Sequence, residues 1–140
     1  MGSFGKHDDV ETAGGGRIVV IADNVAFSGP GEKLTANARP YADFKRGKYS
    51  LPGGSGGYIY VKTSNENKNN TLDEESSISA QGGLGIGDNA GGSGGVVVFD
   101  ETFHLSSRNV KVNGGKADEF NTTGSSDGCK NGGSGTVYYM

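Results

Sequence analysis

The side chains best suited to nucleophilic chemistry are few and lie far apart in the sequence. Cys129 is the only cysteine of the 140 residues, in a polar loop beside Lys130, whose charge would favour the thiolate. Catalysis would also need a general base, but His7 lies in the polar N-terminal segment and His104 alternates with apolar residues, so neither belongs to a catalytic motif. We therefore predict no enzyme and no catalytic residue. Cys129 is either a free thiol or one half of a bridge to another chain.

One glycine-rich segment has a spacing close to that of a metal site. Residues 82–89 are similar to the glycine- and aspartate-rich nonapeptide of calcium-binding β-rolls, in which Asp88 and backbone carbonyls would share an ion. An extra glycine, Gly87, breaks that spacing, and the unit is not repeated in tandem. The other acidic residues form short runs typical of solvated loops. We predict no metal site and no cofactor.

The order of glycine clusters and strands disfavours a phosphate ligand, and the net charge disfavours a nucleic-acid ligand. The glycine clusters precede strands, whereas a phosphate-binding loop places glycine after a strand and before a helix. The chain has 13 basic and 16 acidic residues, a formal net charge of −3, and only one small basic patch, at 45–48. We expect no nucleic-acid partner. No stretch is apolar enough for membrane insertion.

Two asparagines stand in N-glycosylation acceptor triplets. Asn69 begins Asn-Asn-Thr and Asn121 begins Asn-Thr-Thr, each in a segment that we predict to be a loop. A glycan would be attached at these positions if the chain passes through a secretory route. They are the two candidate modification sites of the sequence.

Glycine clusters that run directly into short apolar segments organise the whole chain. Four clusters each precede a four-residue apolar run, and the second residue of that run recurs in steps of 41, 38 and 40 residues. A nearly constant step indicates a repeat array, in which each repeat packs on its neighbours. Alternation predicts strands with one buried face. We expect two internal columns: Ile18, Ile59, Val97 and Val137 in the first, and Val20, Val61, Phe99 and Tyr139 in the second.

Two further segments of each repeat alternate in the same way. One is 25–27 and 103–105, with a weak counterpart at 71–72, and the other is 34–37, 78–83 and 110–115. In the latter we expect Ile78 and Ala80 to face the interior, between two equivalent pairs: Leu34 and Ala36, and Val110 and Val112. Three strands in a repeat of about 40 residues predict an all-β fold. We expect a single parallel β-helix of about three to four glycine-cornered rungs over 14–140, preceded by a polar tail, 1–13.

Composition supports strands but does not by itself require a fold. Glycine supplies 27 residues and the apolar fraction is 32%, which an unstructured chain would also show. The concentration of apolar residues in β-branched alternating runs favours strands. At the corners we expect glycine for positive φ and for close backbone approach. The long connections, 38–52, 84–90 and 116–131, would project as a partner surface or as solvated loops.

The order of these elements resembles a known class of proteins. A glycine cluster, a short β-run, a variable stretch and Ile-Ser-Ala-Gln-Gly-Gly at 78–83 are similar to the glycine-rich parallel β-helix repeats of extracellular and cell-surface proteins. The likeness spans 14–140, although Asn37-Ala38 stands where the other repeats have Gly-Gly. It implies an exported structural or adhesive protein and transfers no catalytic residue. Since Met1–Gly16 contains no signal peptide, we expect the chain to be a piece of a longer array.

Two functions follow as expectations. The favoured one is a structural module of an extracellular filament or surface coat, whose open ends stack on copies of the chain or on flanking repeats. The alternative is a β-helix domain that binds or once processed polysaccharide, because Tyr58, Tyr60 and Tyr138 form a partial outward row. Val19 and Val98 interrupt that row. Glycans are therefore the second expected partner.

Overall fold

Every strand of the protein is short, and the part of the chain described by the computed structural model contains no helix. That part is 5–7, 10–39, 51–64, 70–86, 89–100, 103, 108–117 and 131–140. Its strands are β1 (Gly5–His7), β2 (Val10–Thr12), β3 (Arg17–Ala22), β4 (Ala26–Phe27), β5 (Gly31–Thr35), β6 (Tyr58–Thr63), β7 (Thr71–Leu72), β8 (Ser76–Ser79), β9 (Val96–Phe99), β10 (Val110–Lys111) and β11 (Thr136–Tyr139). The predicted all-β class is confirmed.

The four apolar runs that follow the glycine clusters form one parallel sheet, in the order β11-β9-β6-β3. We call it the main sheet. Ile59 lies opposite Ile18 on one side and Val97 on the other. All remaining paired positions of these strands also lie opposite their equivalents in the neighbouring repeat. Val137 continues the first column beyond Val97. The register of both predicted columns is therefore confirmed.

Burial along the two columns depends on whether a strand has neighbours on both sides. The column residues of β6 and β9 are fully buried, namely Ile59, Val61, Val97 and Phe99. Ile18 and Val20 of β3 are only partly buried, and Tyr139 of β11 is 54% exposed. The expected burial of Tyr139 is wrong because β11 is the last strand of the sheet. Val98, expected to face outward, is also buried, between Tyr60 and Tyr138 of the neighbouring strands.

A second parallel sheet has the order β10-β8-β5. Ile78 of β8 pairs with Leu34 and Val110, and Ile78 and Ala80 are fully buried in the apolar core, which confirms the predicted phase. Ser79, on the opposite face of β8, is fully buried as well. Its hydroxyl donates to Oδ1 of Asn37 at 2.7 Å. Both faces of the middle strand are thus covered, one by apolar side chains and one by polar ones.

The remaining strands form two small sheets. β4 and β7 pair in parallel, with Ala26 opposite Thr71, so the weak alternation at 71–72 does mark a strand. Phe103, in the corresponding segment of the next repeat, is buried, and its ring lies 5.5 Å from that of Phe99. β1 and β2 pair as an antiparallel hairpin within the segment that the sequence marks as a polar tail.

One apolar core receives side chains from all three parallel sheets. The main sheet contributes its buried columns, the second sheet contributes Ile78 and Ala80, and the β4-β7 pair contributes the partly buried Phe27 and Leu72. Val25, Ala36 and Phe103 complete the cluster. The same few apolar positions of each repeat therefore meet in one place, as expected for repeats that stack on one another.

The glycine clusters form a separate layer in which backbone groups lie directly against one another, and we call it the glycine layer. It consists of 13–16, 53–57, 91–95 and 132–135, together with the segments 80–83 and 112–115. Consecutive clusters are hydrogen-bonded, since the amide of Gly56 donates to the carbonyl of Ser93 at 2.8 Å. Clusters also bond to the segments beside them: Gly83 donates to Gly54 at 2.8 Å, Gly92 to Gly83 at 2.9 Å and Gly115 to Gly92 at 2.7 Å.

Close backbone approach explains the glycines of this layer. A Cβ on Gly56 would overlap the carbonyl oxygen of Ala80, and a Cβ on Gly92 would overlap that of Gly54. The second expected reason, positive φ, is wrong for the described clusters: among described glycines only Gly29 and Gly31, outside the layer, have φ of 76° and 100°. Glycine is needed here because backbones replace side chains as the packing surface.

Candidate functional site

The two edges of the main sheet are the candidate functional site, and we call them the β3 edge and the β11 edge. Within the described residues, β3 pairs with β6 alone and β11 pairs with β9 alone. Each edge therefore presents one row of backbone N–H and C=O groups with no neighbouring strand. Such a row is a template for pairing with another chain.

The exposed large apolar side chains are concentrated at these two edges. Ile21 of β3 is 69% exposed, although every second side chain of that strand packs on the core. With the single exception of Leu84, the exposed large apolar residues of the described chain lie on β3 or at β11 and its end: Val19, Ile21, Tyr138, Tyr139 and Met140. Exposed apolar side chains at a strand edge mark an interaction site more often than isolated surface residues do.

The apolar columns are incomplete at the same two edges. Ile59 and Val97 have strand neighbours on both sides and are fully buried, whereas Ile18 and Val137 have one neighbour and are partly buried. A further parallel strand in the same register would cover Ile18 or Val137 as β6 and β9 cover each other. The edges thus lack both the backbone partner and the apolar cover that the interior strands have.

The outer face of the main sheet carries the predicted tyrosines. The rings of Tyr58 and Tyr60 are parallel within 10°, with centroids 6.4 Å apart, and the guanidinium of Arg17 lies 5.5 Å from the centroid of the Tyr58 ring. Tyr138 is two strands from Tyr60, a separation of about 10 Å in a sheet. Val98 lies between them and is 7% exposed. The tyrosine row is therefore interrupted by a buried valine.

The residues singled out by their chemistry fall outside the described part of the chain. Asn69, Asn121, Cys129 and Asp88 all lie there, and so does His104. Thr71, the acceptor threonine of the Asn69 triplet, is described and is exposed on β7. The structure therefore neither brings these candidates together nor separates them.

The described residues contain neither a metal-binding cluster nor a membrane-spanning helix. No group of three or more His, Cys, Asp or Glu side chains is close enough to hold a metal ion. No helix in the described ranges is long and apolar enough to cross a membrane.

Sequence reasoning missed the exposed apolar residues of β3. Val19 and Ile21 occupy outward positions, where the equivalent residues of β6 are Tyr60 and Lys62. The available signal was a run of four β-branched residues, 18–21, with no polar residue on either face. A strand that is apolar on both faces is typical of one covered on both sides.

The chain matched no protein-family model, no curated protein and no solved structure.

Proposed function

We propose that the protein is a structural module of an extracellular filament or surface coat, built as a parallel β-helix whose glycine-cornered rungs stack end to end with other copies and pack laterally. Three features support the β-helix: parallel pairing between successive repeats, one register throughout the main sheet, and a core shared by three sheets. The extracellular location rests on the sequence resemblance. Occupied glycans at Asn69 or Asn121 in native material would support it.

Self-association is supported by one observation: the β3 edge and the β11 edge both lack a neighbouring strand and both end an incompletely covered apolar column. β11 of one molecule, placed in parallel beside β3 of another, would set Val137 opposite Ile18 and Tyr138 opposite Val19, in the register that the sheet uses throughout. The contact would pair both open rows of backbone groups and cover both incomplete columns. Because the two edges differ, the contact is head-to-tail and leaves a free edge at each end, so it propagates into a filament.

Sedimentation of the isolated chain over a range of concentrations tests the proposal. We expect the wild type to form larger species as concentration rises, with strand-rich circular dichroism. Ile21→Lys should reduce that association while preserving the fold, because a charge on an edge strand opposes edge pairing and Ile21 is already exposed. Glu74→Gln, an exposed turn residue with the same change in net charge, is the matched control. A folded monomer at high concentration would contradict the proposal.

A second candidate function, glycan binding, rests on the outer face of the main sheet. Tyr60 and the half-exposed Tyr138 lie on either side of the buried Val98 on this face, and aromatic side chains are common in the lining of ligand sites. A glycan array tests this with Tyr60→Ala, and with Leu84→Ala, an exposed apolar residue outside the main sheet, as control. Equal binding by both variants would exclude the tyrosine face.

A further inference from the structure

One position of the glycine layer is glycine in every repeat, although only three of the four copies need it. It is the residue directly before each strand of the main sheet: Gly16, Gly57, Gly95 and Gly135. A Cβ on any of the last three would overlap the carbonyl oxygen of the same position in the preceding repeat. A Cβ on Gly16 would meet no atom of the described residues within 4 Å. At the β3 edge this position is therefore free to receive the Gly135 carbonyl of a second molecule.

A second position carries a side chain only at the β3 end. Four residues before each strand, glycines face the preceding repeat: a Cβ on Gly92 would overlap the Gly54 carbonyl, and one on Gly132 would overlap that of Gly92. The first repeat has Ala13 at this position, and Ala13 is exposed. In a second molecule docked in the same register, the Gly132 carbonyl would occupy the space of the Ala13 Cβ, as equivalent carbonyls face Gly54, Gly92 and Gly132 inside the chain.

A third position carries a side chain only at the β11 end. Two residues before each strand, a Cβ on Gly56 or Gly94 would overlap a carbonyl oxygen of its own repeat and would also crowd the amide nitrogen of the glycine directly before the next strand, Gly95 or Gly135. The last repeat has Ser134 there, and Ser134 is exposed. In a second molecule docked in the same register, the crowded atom is the amide nitrogen of Gly16.

We propose that Ala13 and Ser134 are steric stops that weaken the end-to-end contact between molecules. They hold the glycine layers of two stacked molecules apart, so that only β11 and β3 pair. The hydrogen bonds that link consecutive clusters inside one chain, such as Gly15 to Ser55 at 2.8 Å, are then lost at the junction. The contact between molecules is accordingly weaker and more reversible than the contact between repeats. This inference rests on the proposed end-to-end stacking.

The test removes both stops. Ala13→Gly combined with Ser134→Gly makes the junction identical, at these positions, to the interior of the chain. Sedimentation equilibrium should then show association at least about tenfold tighter than that of the wild type, because hydrogen bonds across the layer can form. Gly16→Ala makes the opposite change and should weaken association. It should leave the fold intact, since no atom of the described residues lies within 4 Å of the added methyl group.

The outcomes separate this inference from the proposed function. If the wild type associates and the double variant does so equally, the stops are refuted and end-to-end stacking stands. If the wild type stays monomeric and the double variant associates, the stops are supported and self-association of the natural chain is refuted. If neither associates, both ideas fail. Circular dichroism of each variant excludes loss of fold as the cause.

Discussion

The main sheet and the glycine layer hold the same repeats together by different means. In the main sheet, apolar side chains such as Ile59 and Val97 stack in buried columns, and backbone hydrogen bonds run only between adjacent strands. In the glycine layer backbone groups form most of the packing surface, and single residues bond in two directions: Gly92 donates to Gly83 at 2.9 Å and accepts from Gly115 at 2.7 Å. One region is stabilised by buried apolar area, and the other by backbone contact.

The two regions differ in what they tolerate. The first position of each main-sheet strand faces outward, and its residue differs from repeat to repeat: Arg17, Tyr58, Val96 and Thr136. None of the four is fully buried, so the side chain can vary. Interior glycines of the glycine layer such as Gly56 and Gly92 accept no Cβ, because a carbonyl group already occupies the space. The abundance of glycine therefore reflects a packing requirement of one layer and not flexibility of the chain.

The largest effect is expected from a charge in the main-sheet column. Val97→Asp should lower the free energy of unfolding by more than about 4 kcal/mol, since an unpaired carboxylate at a fully buried site has no compensation. Urea denaturation would measure the loss. Val96→Asp places the same charge one residue away, on the outward face, and should cost far less. Similar losses for the two variants would mean that the faces of β9 are not distinct.

A methyl group in the glycine layer should have the next largest effect. Gly56→Ala forces the new Cβ against the Ala80 carbonyl and should destabilise the fold by about 3 kcal/mol or more. Gly16→Ala is the matched control at the open end, where stability should change by less than about 1 kcal/mol, in the stabilising direction. Thermal unfolding of dilute protein would compare them. An unaffected Gly56→Ala protein would show that the layer is loosely packed.

The strands were predictable because their signal is local. Period-two alternation after each glycine cluster identifies both the strand and its buried face, and the matching position of each strand after its cluster then sets the register of the column that contains Ile59. Short segments were also found this way, including β7, whose two residues pair with β4. The pairing follows from the spacing because equivalent positions of stacked repeats lie side by side.

What the sequence did not reveal depends on residues distant in the chain. Ser79 has the pattern of an exposed residue, and its burial follows from Asn37, 42 positions earlier. Leu51 lies in a segment predicted to be a connection, yet it is fully buried and bridges to Ile86. Sequence likewise could not separate positive φ from close approach as the reason for each glycine. Cys129 and Asn121, the candidate reactive and glycosylated residues, lie outside the described residues and stay predictions.

The comparison extends to a buried asparagine, Asn109, whose side-chain amide donates hydrogen bonds to backbone carbonyls. Asn109 is 3% exposed, and its amide donates to the carbonyls of Ser76 at 2.7 Å, Asp73 at 3.2 Å and Glu74 at 3.3 Å. Asn109→Ala should cost about 1–3 kcal/mol, because buried carbonyls lose their donor. The exposed Asn113→Ala is the control. Equal denaturation midpoints would show that water replaces the Asn109 amide.

The smallest effect is expected from the ion pair on the outer face of the second sheet. Nζ of Lys111 on β10 lies 3.5 Å from Oε1 of Glu32 on β5, so the pair spans the strand between them, β8. The two side chains are 43% and 37% exposed, and solvent screens an exposed pair. A double-mutant cycle with Lys111→Gln and Glu32→Gln should give a coupling energy below about 0.5 kcal/mol that falls further in high salt. Glutamine keeps most of each side chain and removes its charge, so the cycle isolates the charge.

A coupling above about 1 kcal/mol would exceed the usual worth of an exposed pair. It would mean that the outer face of the second sheet contributes to stability through specific contacts, as the glycine layer does. Tolerance of side-chain substitution on an outer face would then be a property of the main sheet alone.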